Sequence, residues 1–140
     1  MATIEIAAAV ILDDENRLLL VRKQGSGVFI QPGGKIEPGE TPEAALRREL
    51  AEEIAVTLQA EAVEPLGLFE APAAHEPGAL LRAHLFAVRL DREPTARAEI
   101  AEIVWADPDD PGAVPMAPLT ADHVLPLARR LRCPPAAALL

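Results

Sequence analysis

Residues 33–56 read GGKIEPGETPEAALRRELAEEIAV, and the organisation of the chain follows from them. Thr41 stands directly before Pro42. A hydroxyl there can accept from free helix amides, and proline is tolerated at a first helical position, so the pair marks a helix start. Leu46, Leu50 and Ile54 then recur every four residues, which predicts a core stripe on a helix running over 42–54. At 100° per residue, Glu49, Glu52 and Glu53 share an arc of roughly 100° away from that stripe. Like charges so spaced repel by a few tenths of a kcal/mol per pair. Upstream, Gln31-Pro32-Gly33-Gly34 interrupts regular structure and lets the backbone approach closely. Carboxylates facing the Gly33-Gly34 turn, whose backbone can approach without a Cβ in the way, suit a hard divalent cation such as Mg²⁺ that would turn repelling charges into a phosphate site. The competing reading is a solvated acidic face offset by Arg47 and Arg48.

Working outward, residues 4–12 and 17–22 are apolar runs around Asp13-Asp14-Glu15-Asn16 and predict a hairpin. Val28-Phe29-Ile30 predicts a short third strand. Beyond the helix, residues 60–70, 80–90 and 102–106 predict strands. Residues 107–118 carry four prolines and predict an ordered loop. Thr120 is placed to cap a last helix through Leu131, which Pro126 would delay or kink. Residues 133–140, CPPAAALL, are expected to lack regular structure. The order predicts an α/β fold with a mixed sheet held between two helices, as a single domain over 1–132.

A chain of 140 residues has room for one core. Its net charge of −9 argues against a partner held by phosphate neutralisation, so no nucleic acid polymer is expected. No apolar run approaches the roughly 20 residues of a membrane span, and no basic n-region opens the chain, so no membrane partner and a cytoplasmic location are expected. Cys133 has no partner for a disulfide or a metal site.

The stretch resembles the Nudix box of the MutT-like hydrolases: Gly, five residues, Glu, seven residues, Arg-Glu, an aliphatic, any residue, Glu-Glu, any residue, Gly and an aliphatic. Gly34, Glu40, Arg48, Glu49, Leu50, Glu52, Glu53 and Val56 match in register, and Ala55 replaces the last glycine. The resemblance implies an α/β/α sandwich that hydrolyses nucleoside diphosphate derivatives with Mg²⁺ or Mn²⁺. It implies that Glu49, Glu52 and Glu53 ligate metal with the Gly33 carbonyl, that Arg48 orients the glutamates, and that Glu40 supports the loop. The base that takes a proton from water is a box glutamate, Glu49, or a later one, Glu99 or Glu102. The family glycine closes the turn after the helix in a left-handed conformation, where a Cβ costs on the order of 1 kcal/mol, so Ala55 predicts a slightly strained turn with activity retained.

Arg22 and Lys23 end the second strand and are candidates for contact with substrate phosphate, as is the backbone at Gly34; a solvated strand end is the alternative for the two cations. His75, His84 and His123 lack the spacing of metal ligands. Phe86 and Trp105 are expected in the core. The box handles only the phosphate chain, so (d)NTP, nucleotide-sugar, ADP-ribose and dinucleoside polyphosphate substrates all stay open. Family hydrolases of oxidised guanine nucleotides read the base with an asparagine near the last helix, and LTADHVL has none. A nucleotide sensor that does not hydrolyse would be signalled by a lost box glutamate, and none is lost. A homodimer is compatible with the resemblance.

Overall fold

The computed structural model describes residues 2–131; the expectations for Cys133 and for residues 133–140 lie outside them. Seven strands and two α-helices are formed among the described residues: β1 (Thr3–Ile11), β2 (Leu18–Lys23), β3 (Phe29–Ile30), β4 (Gly33–Lys35), α1 (Pro42–Ile54), β5 (Val63–Pro72), β6 (Leu80–Val88), β7 (Ile100–Ala106) and α2 (Leu125–Leu131). The strands form two sheets, β4-β1-β6-β5, in which β1 and β6 run parallel, and antiparallel β3-β2-β7.

β1 and β2 are apolar at nearly every position because both of their faces are buried. Ile6, Ala8 and Val10 join Leu18 and Leu20 in a core closed by Val124, Leu125 and Ala128 of the C-terminal helical segment. Ala7, Ala9 and Ile11 join Leu19 and Val21 in a second core closed by Leu46, Leu50 and Ile54 of α1. The alternation of a strand thus feeds two layers, and the result is the α/β/α sandwich. Phe86 is buried and Trp105 packs partly buried against the α1 core, as expected.

Four expectations are corrected. Residues 4–12 and 17–22 do not form a hairpin. Asp13 closes the turn by accepting from the amides of Glu15 and Arg17, but only Leu12 and Leu18 pair across it. A strand has two edges, and those of β1 are taken by β4 and β6, those of β2 by β3 and β7. Gly33-Gly34 does not exclude regular structure, because the missing Cβ at Gly33 is what lets β4 lie against Ala7 and Ala8 of β1. Residues 60–62 form a 3₁₀ turn, and the strand begins at Val63, where pairing with Val88 starts. Thr120 does not cap the last helix.

Helical structure there begins at Pro118 and widens into a π turn over Thr120–Val124, where the Leu125 amide donates to the Thr120 carbonyl. Pro126 has no amide and its ring crowds the preceding turn, which accounts for the extra residue. The proline-rich loop before it is ordered as expected: the Phe29 amide donates to the Pro115 carbonyl (2.8 Å) and the Ala117 amide to the Phe29 carbonyl (3.3 Å), so residues 115–117 line the outer edge of β3.

α1 has the expected bounds, and the Thr41 hydroxyl accepts from the Ala44 amide at 3.1 Å. Its C-cap Ala55 sits at φ 60°, ψ 38°, the left-handed conformation that favours glycine. Ala55→Gly relieves the Cβ strain and loosens the unfolded chain; the expected net gain is about 0.5–1 kcal/mol, read as a melting temperature higher by about 2–4 °C with turnover unchanged.

Candidate active site

The register of β4 on β1 decides what faces α1. Ala9 donates to the Pro32 carbonyl and Ile36 to the Glu5 carbonyl, so Ala7 and Gly34 form the hydrogen-bonded pair between them, while Gly33 and Lys35 fall at non-bonded positions. The amides and carbonyls of Gly33 and Lys35 therefore point away from β1. Two of them meet α1: Gly33 N–H donates to Glu53 Oε1 at 3.0 Å, and the Lys35 carbonyl accepts from Arg48 at 3.1 Å. The Gly33 carbonyl lies on the same outward edge.

Arg48 organises the glutamates. Its guanidinium makes two 2.8 Å bonds to Glu40, one to each carboxylate oxygen, and a third of 2.9 Å to Glu49 Oε1, with Glu52 at 3.7 Å. This paired geometry is the strongest form of Arg–carboxylate contact. Glu40 also accepts from the Glu37 amide at 2.9 Å, so the loop before α1 is stapled to the helix face. The Arg48 hydrogen bonds, then the Glu37 amide, hold the Glu40 carboxyl down at about 2, and Arg48 itself is raised by Glu40. A depressed carboxyl stabilises the fold above its unfolded value of 4.5 and loses that contribution as pH falls toward 2. Glu40→Gln is expected to flatten the acid limb of the stability curve between those limits, measured by thermal melts.

Glu53 is 3% exposed beside Leu50 and Ile54. Burial pushes its carboxyl up to about 7, against the opposing pull of the Gly33 amide and of Lys23, with Glu49 and Glu99 adding to the rise. Lys23 and Glu99 thus stand in the field of the buried carboxylate. The backbone explains how Glu99 arrives there: Thr95 and Arg97 donate to the last carbonyls of α1, those of Ile54 and Glu53, both at 2.9 Å, and Gln24 donates to the Glu99 carbonyl at 2.8 Å. Glu102 is elsewhere engaged, at 3.0 Å from Arg22, which also donates to the Ser26 carbonyl. Gly34 lies against the Glu49 carboxylate, which occupies the space a Cβ would need.

The fold therefore gathers Gly33, Gly34, Glu40, Arg48, Glu49, Glu52, Glu53, Lys23 and Glu99, and sets the Arg22–Glu102 pair beside them on β2 and β7. Gln31 and Thr120, read from the sequence only as part of a turn and as a helix cap, are both buried and joined by a 2.7 Å hydrogen bond. The signal available was polarity: a Gln next to an apolar strand and a Thr inside a helix.

The donors available to a cation are carboxylates and one carbonyl, all oxygen, which fits a hard divalent ion. Among the described residues no three Asp, Glu, His or Cys side chains are gathered at metal-holding distances. Glu49 and Glu52 are turned to Arg48, and Glu53 to Gly33. His75, His84 and His123 bind Ser26, Glu5 and the Glu70 carbonyl.

The sandwich thus presents a glycine-edged strand to a helix whose glutamates are organised by one arginine. The chain matches the family model described as the NUDIX domain over residues 3–128 and belongs to the Nudix hydrolase family. It is 35% identical over 123 residues to the CTP pyrophosphohydrolase of Escherichia coli, covering 84% of this chain and 86% of that one. It is 40% identical over 63 residues to the 8-oxo-dGTP diphosphatase of the same organism, covering 42% of this chain and 49% of that one, so it spans about half the length of that relative. Among solved structures, the E. coli ORF135 protein superposes with a TM-score of 0.72 at 29% identity, covering 94% of this chain and 93% of that one. Members of the family generally use divalent metal ions. Among the described residues no helix is long and apolar enough to cross a membrane.

Proposed function

We propose that this chain is a pyrophosphohydrolase of nucleoside or deoxynucleoside triphosphates. The observation that carries the reading is the Arg48 hub, which holds Glu40, Glu49 and Glu52 beside the buried Glu53 on one strand edge. A small triphosphate substrate is supported by the relative matched over most of both chains, a CTP pyrophosphohydrolase.

Glu49, Glu52, Glu53 and the Gly33 carbonyl would hold Mg²⁺, or Mn²⁺ in its place, which supplies positive charge for the phosphate chain and acidifies the attacking water. Arg48 keeps the carboxylates aligned against their mutual repulsion. Lys23, which acts on the Glu53 carboxyl, would meet substrate phosphate, and Arg22, tied to Glu102, is the second candidate cation on the same strand. Glu99 is the proton acceptor we favour: Glu102 is matched by Arg22 and Glu49 by Arg48. The Gly34 backbone would flank the phosphate chain behind Glu49.

The test is release of pyrophosphate from nucleoside triphosphates, and of phosphatase-labile phosphomonoesters from nucleotide sugars, ADP-ribose and dinucleoside polyphosphates, with Mg²⁺, Mn²⁺ or chelator. The expected result is metal-dependent turnover of triphosphates, with kcat reduced about 10²-fold in Glu99→Gln. Turnover confined to another class would replace the substrate, and unchanged kcat in Glu99→Gln would return the base to Glu49.

A further inference from the structure

Gln31 and Thr120 are 89 residues apart, yet the Thr120 hydroxyl donates to Gln31 Oε1 at 2.7 Å. Both side chains are almost wholly withdrawn from solvent, at 5% and 0% exposure. A buried polar pair is retained at a cost unless each group is matched, so this bond ties the two segments to one geometry. The segments differ in origin. Gln31 immediately precedes Pro32-Gly33-Gly34, the edge that receives Glu53. Thr120 opens the π turn that Pro126 imposes on the C-terminal helical segment. Residues 115–117, bonded along β3 at Phe29, deliver Thr120 to Gln31.

We propose that Thr120 and Gln31 are positioning residues for the Gly33 edge. The backbone at 31–33 is then restrained from three directions: Ala9 N–H to the Pro32 carbonyl, Gly33 N–H to Glu53, and the Gln31 side chain to Thr120. The first two lie on the α1 core and its sheet, and only the third comes from the C-terminal side. Release of that third tie lets the Gly33 amide and carbonyl rotate relative to α1, misplacing the one backbone oxygen in the donor set. The C-terminal helical segment, which contributes no carboxylate to the site, thereby sets the geometry of the centre.

The experiment compares the wild type with Thr120→Val, Thr120→Ser and the double variant Gln31→Met/Thr120→Val. Replacing both buried partners by apolar groups of similar shape is close to neutral for stability, so the double variant keeps the fold while removing the tie. Three quantities are read: hydrogen exchange of the Gly33 amide, the Kd for Mn²⁺ alone, and kcat against KM. Exchange about tenfold faster or more, Mn²⁺ binding weaker by about tenfold and kcat lower by about tenfold with KM within about twofold are expected in both Val-containing proteins. Thr120→Ser, which keeps the hydroxyl, is expected to restore all three. Wild-type exchange and Mn²⁺ affinity in the double variant would overturn the proposal, as would a Ser variant as impaired as Val. Only the kinetic arm rests on the proposed pyrophosphohydrolase reading; the Mn²⁺ arm rests on the metal donors assigned with it, and the exchange arm on neither. A wild type without turnover on any substrate therefore overturns that reading and leaves the exchange arm to decide this one.

Discussion

Glu53→Gln is expected to lower turnover by about 10²–10³-fold while making the metal-free protein more stable above neutral pH. The two effects share one cause. Glu53 is buried at the end of α1, and its carboxyl is pushed up from 4.5 to about 7, chiefly by desolvation. An acid raised on folding binds its proton more tightly in the folded state, so its stability contribution is whole below 4.5 and is lost as pH rises through 7. The charged form then costs up to about 3 kcal/mol in the absence of a cation. Glutamine fits the same space and still accepts from the Gly33 amide, but it carries no charge to desolvate or to offer a metal. In chelator at pH 8 the variant should melt higher than the wild type, and near pH 4.5 the two should coincide. Added Mg²⁺ should raise the wild type and leave the variant unmoved. A variant that melts lower at pH 8 in chelator would show that the buried charge is already compensated within the protein.

Gly33→Ala is expected to cost more than about 3 kcal/mol, enough to deplete the folded protein at 37 °C. Gly33 adopts φ 148°, where side chains are strained, and its Cβ would overlap the Ala7 carbonyl oxygen and the Ala8 backbone. Neither neighbour can yield, because both belong to β1, an interior strand of the four-stranded sheet held on both edges. Gly34→Ala is a different case one residue away. Its Cβ would meet the Glu49 carboxylate, with Oε1 at 2.6 Å, and that group is the far end of a flexible side chain. Its carboxylate moves, so turnover falls with only a modest change in melting temperature. Denaturant melts and kcat on the same pair separate the two glycines: one lets two strands approach, the other leaves room for the Glu49 carboxylate.

The local features of α1 were legible from their own residues, whereas the Thr120 cap was not. α1 starts at Thr41-Pro42 and ends at Ile54 as the cap and the four-residue apolar stripe require. Ala55 takes the left-handed conformation that the position demands. Glu49, Glu52 and Arg48 do share one face, because helical spacing is short-range geometry, but Glu53 borders the core stripe and is buried with it. What failed was pairing between distant strands. Residues 4–12 and 17–22 look like a hairpin through the turn that joins them, but continuous apolarity is compatible with any central strand and does not name its neighbours.

The sequence by itself determined the helix, its cap, the carboxylates it carries and the family to which they belong, since all of these depend on residues within a few turns of one another. Only the tertiary structure decided that Glu53 is buried while Glu52 is not, and that Glu102 is matched by Arg22 while Glu99 lies in the field of Glu53. It alone set the outward edge of β4 against α1 and brought Thr120 to Gln31. Burial and pairing are properties of surfaces brought together from remote parts of the chain, and no local spacing encodes which surfaces those are.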